Sequence, residues 1–290
     1  MQRNIETFLG CDAAYEESKI VIFGAPFDST TSYRPGARFA SRTMRAESYG
    51  LETYSPYQNL DVTDYKIFDG GDLELCFGDT NLVLNDIKNF AAKIFSDNKF
   101  PIMIGGEHLV TLGMFRAAVE KYPALNVIHF DAHTDLRDDY LGAKLSHATV
   151  IRRIYDIIGD GKIFQFGIRS GDRPEFEFAA NHTRLKKFNF DGLEKVIAEV
   201  KDKPIYLTID LDVLDPSIFP GTGTPEAGGV TFLQLLDAAL KVIKNCNVVA
   251  LDLVELSPPY DSSGTSTATA LKILREIILS LAEKFTCRKN

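Results

Sequence analysis

Residues 127–135 read Val-Ile-His-Phe-Asp-Ala-His-Thr-Asp, an apolar run that passes directly into carboxylates and imidazoles. Short apolar runs of this kind are typical of strands that are covered on both faces of a parallel sheet. Further runs lie at 20–23, 66–68, 101–104, 163–168, 205–209 and 248–253. Helical apolar spacing lies between them, at 81–96, 231–244 and 268–284. This alternation predicts a single-domain, three-layer α/β/α fold over residues 1–290, with a mostly parallel central sheet.

The composition argues against several classes of protein. The chain has 290 residues, of which 45% are hydrophobic and 25% charged, as in ordinary globular proteins. A net charge of -8 disfavours nucleic-acid binding, which usually needs a basic face. No stretch approaches the ~20 apolar residues of a membrane-spanning helix, and residues 1–19 contain no apolar run resembling a signal peptide. Cys11, Cys76, Cys246 and Cys287 show no paired spacing, which predicts a reducing, cytoplasmic location.

Three of the predicted strands end in polar residues of one chemical kind. They continue as Gly-Gly-Glu-His at 105–108, Asp-Ala-His-Thr-Asp at 131–135 and Asp-Leu-Asp at 210–212. Ligands of open parallel sheets bind outside the carboxyl ends of the strands, and alternate residues of an extended segment point the same way. If the segments stay roughly extended, their acidic and imidazole side chains converge. The residues concerned are His108, Asp131, His133, Asp135, Asp210 and Asp212.

Four aspartates in one cleft cannot all remain ionised without cations, because like charges and burial both raise carboxyl pKa values. Two divalent cations would balance the four negative charges. Carboxylate and imidazole ligands suit a hard or borderline metal such as Mn²⁺, and no cysteine adjoins the motifs. A lone Asp-x-Asp is often a loop cap and a lone histidine often packs in a core, but their joint occurrence favours a metal site.

Two other histidines are assigned to structural positions. His129 is expected to point away from Asp131 along the strand and to be a core residue. His182 lies in a polar helical stretch and is expected at the surface.

The three motifs resemble, in order, the metal-binding signatures of the arginase/agmatinase (ureohydrolase) family, and most closely those of agmatinases. The segments 24–28, 34–39 and 254–258 resemble the opening and the last active-site strand end of that family. The third signature continues at family-like spacing through Pro216, Pro220, Gly221 and Gly229. The resemblance covers nearly the whole chain and implies an arginase/deacetylase-like fold with one ureohydrolase-like catalytic domain over residues 1–290.

This resemblance implies two Mn²⁺ ions. One would be held by His108, Asp131, Asp135 and Asp210. The other would be held by Asp131, His133, Asp210 and Asp212, so that Asp131 and Asp210 bridge the pair.

The resemblance also implies three catalytic roles at the metal pair. Water activated by the two metals would attack the guanidinium carbon, which Glu255 would hold through paired hydrogen bonds. Asp135 would carry a proton to the leaving amine, and His147 would shuttle protons.

The substrate is indicated by residues outside these motifs. Arginases place an asparagine two residues beyond the Asp-x-His-x-Asp motif, where this chain has Arg137. The segment 221–226, which ends at Glu226, resembles the corresponding segment of agmatinases more than that of arginases. Asp172 stands in a strand-end loop from which a carboxylate would suit an amine tail. These features favour a small cationic guanidino substrate, agmatine, which would be converted to putrescine and urea, with Arg137 and Asp172 as tail-binding candidates.

Several alternatives use the same scaffold. Guanidinobutyrase, N1-aminopropylagmatine ureohydrolase, arginase and formiminoglutamase differ only in the loops that read the substrate tail. A non-catalytic binding or regulatory protein would retain the fold, although the complete ligand set and Glu255 argue against it. A related metal-dependent deacetylase would need fewer ligands and one metal. The resemblance further implies a homo-oligomer, a trimer or hexamer, and no membrane or nucleic-acid partner.

Overall fold

The computed structural model describes residues 6–286. Residues 1–5, which open the segment expected to lack a signal peptide, lie outside the described residues, as does Cys287. The strands are β1 (Ile20–Ala25), β2 (Tyr54–Ser55), β3 (Leu60–Asp61), β4 (Ile67–Asp72), β5 (Phe100–Gly105), β6 (Asn126–Phe130), β7 (Ile163–Ile168), β8 (Arg184–Lys187), β9 (Pro204–Asp210) and β10 (Asn247–Val254). The α-helices are α1 (Ala40–Ser48), α2 (Thr80–Ser96), α3 (Val110–Lys121), α4 (Val150–Ile158), α5 (Arg173–His182), α6 (Leu193–Val200), α7 (Phe232–Asn245) and α8 (Thr265–Thr286).

Eight strands form one sheet in the order β4-β1-β5-β10-β9-β6-β7-β8, and every neighbouring pair is parallel. β2 and β3 form a separate antiparallel ribbon. The predicted parallel sheet is confirmed, and each apolar run that predicted a strand lies in one. The sequence Arg-Leu-Lys-Lys of β8 gave no such signal, because this short strand lies at the sheet edge with its side chains partly exposed.

Helices cover both faces of the sheet, as the three-layer prediction requires. α1, α6, α7 and α8 pack with one face in one hydrophobic core, and α2, α3, α4 and α5 pack with the other face in a second. Sequence patterning located α2, α7 and α8. It missed α3, because every residue from Val110 to Phe115 is buried and this first half of the helix lacks an amphipathic stripe.

Cys11, Cys76 and Cys246, the cysteines in the described part of the chain, are free thiols. This agrees with their unpaired spacing. Across residues 6–286, no helix has both the length and the apolar character needed to cross a membrane.

The strand order brings together chain segments that are remote in sequence. β5 and β6 follow each other along the chain, but β10 and β9 lie between them in the sheet. The carboxyl ends of β5, β10, β9 and β6 are therefore adjacent. Crevices at such a reversal of strand order are where parallel α/β sheets bind ligands.

Candidate metal centre

Each of the four central strands delivers one ionisable side chain to this crevice. His108 follows β5, Asp131 follows β6, Asp210 ends β9 and Glu255 follows β10. All four side chains are buried, with relative exposures of 5% or less. Gly106 allows the turn between β5 and His108 to pack closely, since a Cβ there would lie 1.9 Å from the carbonyl oxygen of Phe27.

A first group of ligands surrounds the Nδ1 atom of His108. This nitrogen lies 3.0 Å from Asp131 Oδ2, 3.1 Å from Asp135 Oδ2 and 3.2 Å from Asp210 Oδ2. It makes no hydrogen bond of acceptable geometry with any of them. His108, Asp131 and Asp135, together with His129, place ligand atoms within 4.8 Å of one another, close enough to bind one cation, and Asp210 adjoins this group.

The other ring nitrogen fixes which atom of His108 carries the proton. Thr208 donates its hydroxyl hydrogen to Asp252 at 2.6 Å, so its oxygen accepts from His108 Nε2 at 3.0 Å. Tyr206 donates to the second oxygen of Asp252. With its proton on Nε2, His108 directs the Nδ1 lone pair at three carboxylate oxygens, and a cation between these atoms makes that arrangement favourable.

The carboxylates of the site oppose one another's ionisation. Burial and the charge of Asp131 raise the pKa of Asp135 to about 7. Burial and the neighbouring Asp212 raise the pKa of Asp210 well above its usual range. Divalent cations relieve this repulsion, and carboxylates with imidazoles are the donor set that a hard or borderline metal such as Mn²⁺ prefers. The residues present therefore fit a metal pair.

A second group of ligands lies beside the first and shares Asp131 with it. His133 Nδ1 lies 2.9 Å from Asp212 Oδ2 and 3.5 Å from Asp131 Oδ1. Asp131 therefore directs one oxygen towards each histidine, which is the geometry of a bridging carboxylate. Asp210 places Oδ2 in the first group, while its Oδ1 accepts a hydrogen bond from the backbone N–H of Asp212.

The segments that carry these residues do not stay extended, which was the condition for their predicted convergence. β6 ends at Phe130, and Asp135 has a φ of 51°, in the left-handed region that non-glycine residues rarely occupy. Asp212 lies in a 3₁₀ turn, Leu211–Val213. The turns fold Asp135 and Asp212 back over the strand ends, so the six predicted ligands still come together.

The predicted orientation of His129 is also wrong, although the residue is fully buried as expected. Residues two apart on a strand point the same way, and His129 Nε2 lies 2.7 Å from Asp131 Oδ2. Gln165 donates its amide N–H to His129 Nδ1 and accepts from Thr183, which leaves the imidazole proton on Nε2. His129 therefore donates to the Asp131 carboxylate and orients it.

Glu255 lies beside the metal ligands in a strained backbone conformation, with a φ of 66°. Its Oε1 accepts from the backbone N–H of His108 at 2.7 Å, and its own N–H donates to Gly106. Glu255, Asp135 and His133 line a cavity of about 120 Å³. Sites for drug-sized ligands occupy roughly 300–1,000 Å³, so this cavity suits a small substrate group.

His147 lines the same cavity at the start of a 3₁₀ turn. Its ring nitrogens lie 3.2 Å from the hydroxyls of Ser32 and Ser146, and its backbone N–H donates to Thr30. Burial lowers the pKa of His147 to about 4. The imidazole is therefore neutral near pH 7, with one nitrogen able to accept a proton.

Arg137, which was predicted to contact the substrate tail, lines the cavity together with Tyr140. The Arg137 guanidinium lies 3.0 Å from Asp172 Oδ2, 3.5 Å from Glu175 Oε2 and 5.0 Å from the centre of the Tyr140 ring. Asp172 also caps α5. It lies behind Arg137 and is absent from the cavity lining formed by the described residues.

Glu226 and His182 complete the residues singled out from the sequence. Glu226 Oε1 accepts from Ser170 at 2.8 Å and lies 3.9 Å from His133 Nε2, so Glu226 supports the loop beside the second ligand group. The side chain of His182 is 33% exposed and pairs with Asp160, near the surface as predicted.

Sequence reasoning missed the residues that hold the ligands from behind. Glu107 belongs to the motif at 105–108. Thr208 lies in the run 205–209 and has the same side-chain direction as Asp210 two residues later. Asp252 stands three residues before Glu255. Alternation along a strand end could have identified Thr208, whereas the contact with Asp252 depends on the pairing of β9 with β10.

Comparisons with known proteins agree with this geometry. The sequence model of the Arginase family matches residues 18–280. An agmatinase of Bacillus cereus is 46% identical over 94% of this chain and 96% of its own length. A solved structure from Clostridium difficile, 57% identical, superposes with a TM-score of 0.91 over 94% of this chain and 100% of that one. The agmatine ureohydrolase of Thermoplasma volcanium is 33% identical and superposes with a TM-score of 0.89 over 99% of this chain and 98% of that one. Together with the ligand arrangement, these matches confirm the predicted relationship: the chain belongs to the arginase family.

Proposed function

We propose that this protein hydrolyses the guanidinium group of agmatine to putrescine and urea at a pair of manganese ions. The observation that carries the proposal is the placement of Glu255 against the backbone of the metal ligand His108, within the same small cavity. A buried carboxylate there can hold a guanidinium beside the metals. The similarity to proteins named agmatinase supports the choice of agmatine.

The side chains divide the reaction between them. When bound, the two cations supply Lewis acidity that makes water a competent nucleophile near neutral pH. Glu255 Oε2, which accepts no hydrogen bond within the described part of the chain, is available to fix the guanidinium plane. As the water oxygen bonds to the guanidinium carbon, Asp135 takes up the proton that the water loses. It delivers this proton to the tail nitrogen when the bond between that nitrogen and the carbon breaks. His147 exchanges protons between the cavity and solvent.

A second candidate substrate is 4-guanidinobutyrate, because Arg137 lies at the cavity wall. An unpaired guanidinium at the cavity wall would attract the carboxylate tail of that compound. Here Arg137 is paired with Asp172 and lies close to Glu175. The two carboxylates offset its charge, so an ammonium tail meets no net positive wall. Agmatine is therefore the preferred candidate.

A turnover panel tests the proposal. The manganese-reconstituted protein should release urea from agmatine with a kcat/KM at least about tenfold above its values for arginine, 4-guanidinobutyrate and N1-aminopropylagmatine, a difference of about 1.4 kcal/mol. Chelator-treated protein should lose activity and regain most of it with Mn²⁺. A tenfold preference for arginine would refute the substrate assignment. Absence of urea release from every compound would favour a non-catalytic protein.

The tail-binding roles proposed for Arg137 and Asp172 can be tested by changing the charge of this pair. Asp172→Asn removes one partner of Arg137 while retaining the shape of the side chain. It should raise KM for agmatine about three- to tenfold and lower it for 4-guanidinobutyrate, since partly exposed charges contribute about 0.5–1.5 kcal/mol. Steady-state kinetics with both substrates provide the measurement. Arg137→Gln should shift preference the opposite way, and equal changes for both substrates would contradict the roles.

Three broader properties are proposed with the activity. The whole chain acts as one catalytic domain, in a homo-oligomer of three or six copies, and in the cytoplasm. Native mass measurement of the full chain tests the oligomeric state. A monomer with full activity would contradict that part of the proposal.

A further inference from the structure

Glu107 is a fully buried carboxylate that has no assigned role in the reaction. It stands between Gly106 and the metal ligand His108, and it holds the loop that follows β1. Its Oε2 accepts from the Thr30 backbone N–H at 2.8 Å and from the Thr31 hydroxyl at 3.1 Å. Its Oε1 accepts from the Thr30 hydroxyl at 2.5 Å. Three donors from two consecutive residues therefore converge on one carboxylate.

These contacts fix the direction of the hydrogen bond at the Thr30 hydroxyl. The backbone N–H of His147 can only donate, so the Thr30 oxygen accepts there, at 3.1 Å, and the Thr30 hydrogen points at Glu107. An oriented pair of bonds thus runs from Glu107 through Thr30 to the residue proposed to shuttle protons.

The same loop also contacts the imidazole ring. Ser32 lies two residues after Thr30, and its hydroxyl is 3.2 Å from His147 Nε2. Ser32 is exposed, so its position depends on the anchored part of the loop. Thr30 therefore restrains the backbone of His147, and the loop that it anchors restrains the ring.

We infer that Thr30 is a positioning residue, which couples the buried carboxylate of Glu107 to His147 and so holds the imidazole in its proton-shuttling position. This inference rests on the role proposed above for His147. It differs from a structural role in one respect: the effect of Thr30 on turnover must pass through the His147 side chain.

Thr30→Val tests this coupling because it removes the hydroxyl and keeps a branched side chain of similar size. In the manganese-reconstituted full-length protein, with the best substrate of the panel, kcat should fall about 10- to 100-fold, part of the 10²–10⁴-fold typical of acid–base groups. KM should stay within about threefold and metal content should be unchanged. Thr30→Ser, which retains the hydroxyl, should stay within about threefold in kcat.

Thr31→Val is the matched control. It removes a threonine hydroxyl that also donates to Glu107 but makes no hydrogen bond with His147 within the described part of the chain. Its kcat should stay within about threefold, although its melting temperature should fall about as much as that of Thr30→Val. If both variants lost turnover equally, the effect would be structural and the inference would be overturned.

A double-mutant cycle with His147→Ala separates this inference from the proposed function. If Thr30 acts through His147, Thr30→Val should cost little further activity in the His147→Ala background. A full 10- to 100-fold additional loss would overturn the inference.

Near-normal turnover of His147→Ala alone would refute the shuttle role and with it the inference. An impaired His147→Ala beside an unimpaired Thr30→Val would refute the inference alone. Thr30→Ala replaces Thr30→Val in the same cycle if the valine variant fails to fold.

Discussion

Asp210→Ala should abolish urea release and metal binding together. Asp210 Oδ2 lies 3.2 Å from His108 Nδ1, and its Oδ1 positions the backbone of Asp212 in the second ligand group. Removal of the carboxylate therefore disturbs both halves of the centre. Loss of the metals removes several kcal/mol of stabilisation of the developing charge, so kcat/KM should fall about 1,000-fold or more. Metal analysis after gel filtration and a urea assay provide the measurements.

An exposed aspartate on α7 gives the matched control for this variant. Asp237 pairs with Lys241 at the surface, and Asp237→Ala should retain full metal content and turnover. Retention of two metals per chain by Asp210→Ala would show that Asp210 is not a ligand. Adding excess Mn²⁺ distinguishes weakened binding from a lost site, because weakened binding is restored at high metal concentration.

Glu255→Gln should reduce turnover while both metals remain bound. The glutamine amide keeps an oxygen to accept the His108 N–H, so the ligand loop stays in place, but it loses the charge that binds a guanidinium. Removing one partner of a buried charge pair costs about 2–5 kcal/mol, which corresponds to a loss of roughly 30- to 5,000-fold in kcat/KM. Kinetics at saturating Mn²⁺, together with metal analysis, test this expectation.

Glu194→Gln is the control for this variant, since Glu194 is an exposed glutamate paired with Lys241. It should leave kcat/KM unchanged. Near-normal turnover of Glu255→Gln would refute the guanidinium-binding role. Loss of metal by Glu255→Gln would instead make Glu255 a support for His108, and activity and metal would then disappear together as in Asp210→Ala.

The sheet and the clustering of carboxylates and imidazoles at the strand ends were predictable because both depend on local chemistry. A strand covered on both faces must be apolar throughout, and the run 127–130 shows this directly. The cluster was predictable because carboxylates and imidazoles occur together at successive strand ends, which loop caps and core histidines do not explain. The edge strand β8 and the helix α3 were not predictable, since an exposed edge tolerates lysine and the buried first half of α3 has no polar face.

The details of the site could not be predicted, because they depend on pairings between distant strands. Whether Glu107 would anchor the loop at Thr30, 77 residues earlier, is invisible in either segment alone. The turn at Asp135 opposes the ordinary preference of an aspartate for negative φ. Surrounding contacts maintain such a conformation, at a cost of order 1–3 kcal/mol, and sequence patterns do not report it. The side-chain direction of His129, by contrast, is predictable, because residues two apart on a strand point the same way.

The insertion of β9 and β10 between β5 and β6 has a consequence for synthesis of the chain on the ribosome. β5 and β6 emerge early, and each then presents an unpaired, apolar edge that will become the centre of the sheet. Those edges stay open until β7, β8 and the helices α5 and α6 have been made and β9 and β10 arrive. Open edges of this kind promote association between incomplete chains. The arrangement that brings the site together from distant segments therefore also leaves the incomplete chain open to association until its last strands have been made.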